Sequence, residues 1–483
     1  MTPQLGSTSS RAVFFLLFLC LFSFSQPVWS APLTCTSTNI NPGPNDPVAF
    51  VVAATSPGAV SVVDLATNTV VCSIAVGNNP SQLAFSADSS RLLVENDADA
   101  TVSVINLADG STAATLNLNT LVTPGTSGVT GNIATAYDGT HSFAYVAVYP
   151  NPLPATPAPA LGRINLDVSP PTLTSIGSAT VSGTTPTSGD LGIAFLPDGS
   201  KAYITFDGNN TDVYATATDI FSTSIPVTGG SLAVSPVGDL GYVVQTAATA
   251  SSSSPNQITI ATNAFAATTA AAGQTICSRS NTTTTSPDGT VAYYSCPANN
   301  SLQFISASSN QVTNTVNLTT AGSGPNGIAA TSDGSSLVVA NNNTTVSIFT
   351  SLTSATPTET NFPGPGGALA GAGQRPVKLT LSPTTATVPI GGSQQFTSSV
   401  LYAFSTGKTL IWAVNGIQGI PQSAPLTLPA CTLHPAPFRI PLRSPCPLPH
   451  PRFPPSPSST LSRPRSPSYL QQCQLRPNPL LST

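Results

Sequence analysis

Short runs of apolar residues alternate with turn signals along most of the chain. Pro and Asp preset a tight turn and Gly accepts a positive φ, so each such signal predicts a hairpin between two antiparallel strands. From Asp88 to Asp333, 245 residues cover five intervals, a mean of 49, which fits a four-stranded unit. The six turn signals are SADSS at Ser86, YDGT at Tyr137, LPDGS at Leu196, SPVGD at Ser235, SPDGT at Ser286 and SDGSS at Ser332.

The strand after each turn signal is apolar, and most copies end in a small or polar residue. These second strands read RLLVEN, FAYVAV, KAYITF, GYVVQT, VAYYSC and SLVVAN, and a seventh copy, AFVVAA, spans Ala49 to Ala54 with no turn signal before it. Seven third strands follow, beginning at Val60, Val102, Gly162, Thr211, Gln257, Ser301 and Thr345. Only six first strands precede them, so we expect the missing one near Gly366 to Ala370, where it would close a ring and protect a sheet edge.

The pattern therefore predicts an all-β fold, a seven-bladed β-propeller over residues 31–370. Two stretches interrupt the period, a Pro-rich one at Pro150 to Pro171 and a Ser/Ala-rich one at Thr246 to Ser254. They lengthen loops, where binding specificity usually lies. Because they blur the period, six or eight blades stay open as alternatives.

The repeat resembles the YVTN-type β-propeller family, in which units of the form GIAFSPDG, YVAN, VSVID follow one another around a ring. The stretches that carry the resemblance are LGIAFLPDGSKAYITF, GPNGIAATSDGSSLVVANNNTTVSIF and AFVVAATSPGAVSVVDLATNTVVCSIAVGNNPSQLAFSADSSRLLVEN. They cover roughly residues 45–370. The matching residues are turn and core positions, so the resemblance implies a fold and no particular activity.

Charge is distributed unevenly along the chain. All 18 acidic residues lie between Asp46 and Glu359, and only four Lys or Arg fall between residues 31 and 370, a net charge of −14 for that region. Such a field repels nucleic acid and anionic membrane surfaces but tolerates cationic partners or divalent ions. Helix formers are scarce, with two Glu and three Lys in the whole chain, which also favours an all-β fold.

The N-terminus is typical of an export signal. Arg11 precedes the apolar run Ala12 to Phe24, and small residues surround Ser30, after which we expect cleavage. The apolar run is shorter than the roughly 20 residues of a spanning helix. We therefore expect residues 1–30 to be a signal peptide and the mature chain, without a transmembrane segment, to be secreted, periplasmic or at the cell surface.

Export permits disulfide bonds among the four cysteines of the predicted ring. Cys277 and Cys296 are spaced as if on neighbouring strands, and a bond between Cys35 and Cys72 would pin the N-terminal segment. Sequence alone does not settle the pairing, and free buried thiols are the alternative.

After the predicted ring the sequence pattern changes. The stretch from Val377 to Ile417 resembles the first half of a bacterial Ig-like group 2 module, with Trp412 as its buried aromatic, so we assign residues 375–420 to a truncated Ig-like β-sandwich. Residues 421–483 then contain 17 Pro, six Arg and neither acid nor Gly. They are either a disordered Pro/Arg tail or the product of a shifted reading frame, which the abrupt break inside a module favours.

Candidate chemistry is sparse. His141 is the one histidine of the ring and lies beside the turn Asp138-Gly139, where a surface role is more common than a catalytic one. Carboxylates that could hold calcium recur in ENDADA and in the stretch from Asp207 to Asp212, both placed between a second and a third strand, although neither matches an EF-hand loop. The calcium candidates are Glu95, Asp97, Asp99, Asp207 and Asp212. Neither GxSxG nor HExxH occurs, and no catalytic residue or other cofactor is predicted.

These observations favour an exported, non-catalytic propeller that binds a protein or glycan through variable loops. The alternative is a lactonase-like hydrolase that acts in the central funnel with acidic residues or a bound divalent ion. Secreted lactonase-like propellers resemble this chain only in their blade pattern.

Overall fold

The computed structural model describes residues 33–40, 48–122, 127–151, 160–178, 192–206, 210–227, 229–244, 255–277, 282–320, 324–364 and 369–374, together with seven short strands after residue 377. The described chain is all-β apart from two single-turn 3-10 helices, Leu118–Thr120 and Pro297–Asn299. No helix in this part of the chain is long and apolar enough to cross a membrane.

The strands between residues 48 and 374 form seven sheets, the blades of a propeller, in which all pairs are antiparallel except β20 with β24. This confirms the predicted fold class and the blade count of seven. Blade 1 contains β1 (Val48–Ala53), β2 (Gly58–Asp64) and β3 (Thr69–Val76). Blade 2 contains β4 (Pro80–Phe85), β5 (Arg91–Asn96), β6 (Thr101–Asn106) and β7 (Thr112–Asn117). Blade 3 contains β8 (Ser127–Tyr137), β9 (Ser142–Asn151), β10 (Ala160–Asn165) and β11 (Thr172–Ser178).

The remaining four blades follow the same order from the channel outward, with an extra strand, β20, at the outer edge of blade 6. Blade 4 contains β12 (Gly192–Phe195), β13 (Lys201–Phe206), β14 (Asn210–Ala215) and β15 (Ile220–Ile225), and blade 5 contains β16 (Ser231–Val234), β17 (Leu240–Val244), β18 (Asn256–Thr259) and β19 (Ala264–Ala267). Blade 6 contains β20 (Thr269–Ala270), β21 (Thr283–Thr285), β22 (Val291–Cys296), β23 (Ser301–Ser306) and β24 (Gln311–Asn317). Blade 7 contains β25 (Pro325–Ala330), β26 (Ser336–Asn341), β27 (Thr345–Thr350) and β28 (Thr358–Pro363).

A strand from the far end of the repeat region closes the ring. β29 (Leu369–Gln374) pairs antiparallel with β1 and becomes the inner strand of blade 1. The closing strand was expected near Gly366 to Ala370, so it begins three residues later than predicted. Close packing explains the position: a methyl group on Gly327 of blade 7 would lie 2.6 Å from the Cα of Gly371, and only glycines allow so close an approach.

The core lies between adjacent blades. Alternate residues of each second strand face opposite neighbours: Leu92 and Val94 pack against Phe50 of blade 1, whereas Leu93 packs against Val146 of blade 3. A β-strand pattern with both faces buried is continuously apolar, which is why the second strands were the clearest repeat in the sequence.

Hydrogen bonds between blades recur at the turn that joins a third strand to a fourth. Six of the seven such turns contain a residue with positive φ, for example Asp219, Asn263 and Asn310. The hydroxyl of Tyr145 in blade 3 donates to Asp219 Oδ1 in blade 4 at 3.4 Å, and that of Tyr203 in blade 4 donates to Asn263 Oδ1 in blade 5 at 2.7 Å. These contacts tie the outer parts of neighbouring blades together.

Seven short strands follow the ring and form three small sheets. β30 (Lys378–Ser382) pairs with β32 (Thr397–Leu401), β31 (Thr385–Thr387) with β36 (Gln472–Gln474), and β33 (Ile411–Val414) with both β34 (Ile417–Ile420) and β35 (Leu433–Ala436). Trp412 lies in β33. The Ig-like assignment of this region stays a prediction.

Candidate functional site

The two ends of the ring are built from different connections. Because the strands of each blade are antiparallel, turns from first to second and from third to fourth strands lie on one face, which we call the lower face. Loops from second to third strands and from one blade to the next lie on the opposite, upper face. First-to-second turns are four or five residues long, whereas the upper connections after β9, β11 and β17 have 8, 13 and 11 residues.

A central cavity of about 170 Å³ runs between the inner strands of the seven blades. Its wall is made of backbone, small apolar side chains, hydroxyls and amides, and the described lining contains no Asp, Glu, His, Lys or Arg. The polar side chains that line it are Gln82, Asn132, Thr135, Ser231 and Thr282 to Thr285. The cavity is therefore suited to uncharged polar groups.

The sequence did not single out these polar lining residues. They belong to first strands, whose lengths vary from three residues in β21 to eleven in β8. In the sequence these residues are marked only by lying a few positions before a turn signal. That position becomes informative once the propeller fold places first strands around the cavity.

Glu95 lies at the end of β5 and is fully buried, so it is not part of a solvated hairpin loop. Its side chain faces blade 3, and neither carboxyl oxygen has a hydrogen-bond partner among the described residues. Burial, reinforced by the nearby charge of Asp97, raises the pKa of Glu95 well above its usual value. The side chain therefore favours the neutral acid.

Asp97 and Asp99 occupy the turn after β5 on the upper face. Asp97 Oδ1 accepts a hydrogen bond from the Ser81 hydroxyl at 2.8 Å, and burial raises the pKa of Asp97 to about 6 despite that bond. Asp99 accepts from the backbone N–H of Asn78 at 2.6 Å and from its amide at 2.9 Å, which lowers the pKa of Asp99. Asp99 thus fastens blade 2 to the preceding connection.

The second calcium candidate is only partly described, because Asp207 lies outside the described residues. Asp212 lies within β14 and not in a loop; it is 4% exposed, and burial raises its pKa although a hydrogen bond from Ser224 opposes the shift. Among the described residues, no three His, Cys, Asp or Glu side chains come together as a metal site. Calcium binding stays a prediction.

His141 lies in the turn between β8 and β9, on the lower face. Its side chain is 59% exposed and its Nδ1 is 3.6 Å from Asp138 Oδ2. The backbone N–H of His141 also donates to Asp138 Oδ1 at 2.8 Å. Since Glu95 lies at the upper end of its blade, these two residues are on opposite faces and cannot act at one site.

The four cysteines of the ring lie in two pairs. The structure joins Cys35 to Cys72 of β3, with Cα atoms 5.0 Å apart, and Cys277 to Cys296 of β22, with Cα atoms 6.1 Å apart. The first pair holds the segment 33–40 against the outer edge of blade 1, where Ser73 donates its N–H to Leu33 O at 2.8 Å. The second pair holds the segment after β20 against blade 6.

Comparison with known proteins identifies the fold and no family. No protein-family model matches the chain, and no curated protein matches it. A solved structure from Bacteroides fragilis, named a "putative 6-phosphogluconolactonase", matches with a TM-score of 0.51 at 15% identity, covering 68% of this chain and 98% of its own.

Two further solved structures are similar. A protein of the same description from Bacteroides uniformis has a TM-score of 0.49 at 14% identity, with 68% and 100% of the two chains covered. A dihydro-heme d1 dehydrogenase has a TM-score of 0.47 at 14% identity, covering 71% of this chain and 67% of its own. At these identities the likeness concerns the propeller fold alone.

Proposed function

We propose that this chain is an exported, non-catalytic binding propeller that holds its ligand at the upper face of the ring. The observation that carries the proposal is the asymmetry of the two faces: the long connections of blades 3 and 5 and the 13-residue connection into blade 4 all join strands at the upper face. Long loops on a rigid scaffold are the usual place of recognition. Export, a YVTN-type origin and a following Ig-like module belong to the same proposal.

The neutral wall of the cavity favours an uncharged, hydroxyl-rich ligand. We therefore propose that the ligand is a glycan and not a protein. Hydroxyl and amide side chains such as Gln82, Asn132 and Ser231 lie toward the upper end of the inner strands and line the cavity. They can donate to and accept from sugar hydroxyls without the cost of burying a charge.

Binding of neutral oligosaccharides, measured by a glycan array and then by calorimetry, tests this proposal. Gln82→Leu removes a polar group from the upper end of the wall, and we expect it to weaken binding about tenfold, the effect of losing one good hydrogen bond. Thr285→Val is the matched control, because Thr285 lines the lower end. Absence of binding to any neutral glycan, or equal effects of both variants, contradicts the assignment.

The alternative function is lactone hydrolysis, which is raised by the name of the Bacteroides fragilis structure. Purified protein is expected to show no turnover of lactone or other ester substrates. Turnover that is lost in Glu95→Gln or His141→Ala would replace the binding proposal with a hydrolase. A change in thermal stability on adding calcium or EDTA would separately support a bound divalent ion.

A further inference from the structure

The lower face of the ring gathers most of the acidic residues. Of the 15 acidic residues that the structure describes, ten lie in or beside lower-face turns, and each is at least partly exposed. Arg91, Arg163 and Lys201 are the described cations nearest to that face, which leaves it a net charge of −7. The ten residues are Asp64, Asp88, Asp109, Asp138, Asp167, Asp198, Asp219, Asp239, Asp288 and Asp333.

Six of these aspartates encircle the lower mouth of the cavity, in the first-to-second turns of blades 2 to 7. Successive turns touch one another: a methyl group on Gly199 would lie 2.7 Å from the carbonyl oxygen of Tyr137, and one on Gly238 would lie 3.3 Å from Pro197 Cδ. The same contact recurs between Gly334 and Pro287, at 3.4 Å. Neighbouring acidic turns are therefore in contact along much of this rim.

Hydrogen bonds within the turn stabilise the ionised carboxylate of Asp288. Asp288 Oδ1 accepts hydrogen bonds from the Ser286 and Thr290 hydroxyls at 2.6 and 2.8 Å. Partial burial acts in the opposite direction, but the hydrogen bonds prevail and lower the pKa of Asp288. Asp333 accepts the equivalent bonds from Thr331 and Ser335, each at 2.8 Å.

The chain leaves the ring through this rim. β29 runs antiparallel to β1, so Gln374 lies beside Ala49 at the lower face, where the other six blades have their acidic turn. The residues that follow, 375–483, contain nine Lys or Arg and no acid, and the first of them is Arg375. Of these nine, Arg375, Lys378 and Lys408 fall before residue 421, so the opposite charge does not depend on the origin of the tail.

We propose that the lower face is the docking surface for this chain's own basic segment, residues 375–483. The exit point supplies a high local concentration, and a net charge of −7 attracts a segment that carries only positive charge. Exposed apolar side chains on the same face, Val168, Ile220 and Phe265 at 40%, 61% and 44% exposure, offer contacts for the apolar residues of the segment. Docking there leaves the upper face free for a ligand.

Carbodiimide cross-linking of the full chain tests the proposal, because the chain has only three lysines, Lys201, Lys378 and Lys408. Lys408 lies 34 residues beyond Gln374, so the connection alone does not hold it at the rim. We expect peptide mass spectrometry to find Lys408 joined to rim aspartates and not to Asp97 or Asp99. The yield should drop several-fold in 1 M salt, where the Debye length is about 3 Å.

Paired variants separate the two faces. Asp288→Asn with Asp333→Asn neutralises two rim turns while keeping their geometry, and should speed tryptic cleavage after Lys408 several-fold at low salt. Asp97→Asn with Asp99→Asn is the upper-face control and should leave the rate unchanged. Equal effects of the two pairs, cross-links to the upper face, or cross-links only between differently labelled chains would overturn intramolecular docking. Glycan binding is measured separately, so failure of one proposal does not decide the other.

Discussion

At the residue scale, Glu95 occupies a position that other blades use for a hydroxyl. The residues at the equivalent position of the second strand are Thr205 in blade 4 and Ser295 in blade 6. Thr205 Oγ1 donates to Gly230 O of the next blade at 2.8 Å, and Ser295 Oγ donates to Asn326 O at 3.1 Å. Glu95 occupies this position in blade 2 without such a bond, since neither carboxyl oxygen has a hydrogen-bond partner among the described residues, and burial of the side chain favours its neutral form.

The pH dependence of stability follows from this placement. The folded protein keeps protons on Glu95 and Asp97 that the unfolded chain releases near the ordinary values of 4.5 and 3.8. The contribution of these two carboxyls to the free energy of unfolding is therefore largest below those values and falls as the pH rises, through about 6 for Asp97.

Glu95→Gln, which keeps the shape and a donor, should make urea unfolding less dependent on pH between about pH 5 and pH 8. Asp99→Asn is the control, because the pKa of Asp99 is lowered and its titration lies below this window. An unchanged slope in Glu95→Gln would show that Glu95 is ionised in the folded protein.

At the element scale, tyrosines on the second strands of blades 3 and 4 fasten each of these two blades to the third-to-fourth turn of the next. Tyr203→Phe removes the hydrogen bond to Asn263 and should lower the free energy of unfolding by about 1 kcal/mol. Tyr293→Phe is the matched control, since Tyr293 holds the same position in blade 6 without a described hydrogen bond to a turn. Equal losses in both variants would mean that ring packing, and not the hydrogen bond, stabilises the junction.

The two cysteine pairs also act on elements, because each holds a connecting segment at the outer edge of a blade. Non-reducing peptide mapping should recover Cys35 linked to Cys72, which are 37 residues apart. Replacing both by Ser should cost roughly 2–4 kcal/mol of stability. Free thiols at these positions in protein purified without a reducing agent would contradict the pairing.

At the scale of the whole molecule, stability depends on ring closure by β29. Leu369 is fully buried between blades 7 and 1, and without β29 the first blade exposes an unpaired edge to the cavity. A chain that ends at Gly364 should lose its cooperative unfolding transition and aggregate, whereas one that ends at Gln374 should keep the transition. Calorimetry of the two chains checks this, and a cooperative transition in the shorter one would contradict it.

The sequence alone determined the blade pattern of this protein. Turn residues such as Asp288-Gly289 and the continuously apolar second strands are set by local backbone preference and by burial on both faces, so they can be recognised without tertiary contacts. The count of seven and the closing strand near Leu369 followed from that pattern. First strands such as β21 were harder to place because they are short and their environment changes along the cavity.

Only the tertiary structure decided which side chains meet. Glu95 and Asp212 look like exposed loop carboxylates in the sequence, yet they lie within β5 and β14 and are buried. His141 is separated from Glu95 because antiparallel strands send successive connections to opposite faces. The same alternation places aspartates that are about 49 residues apart in the chain on one rim. Their combined electrostatic field depends on their distances in space and not on their separation along the sequence.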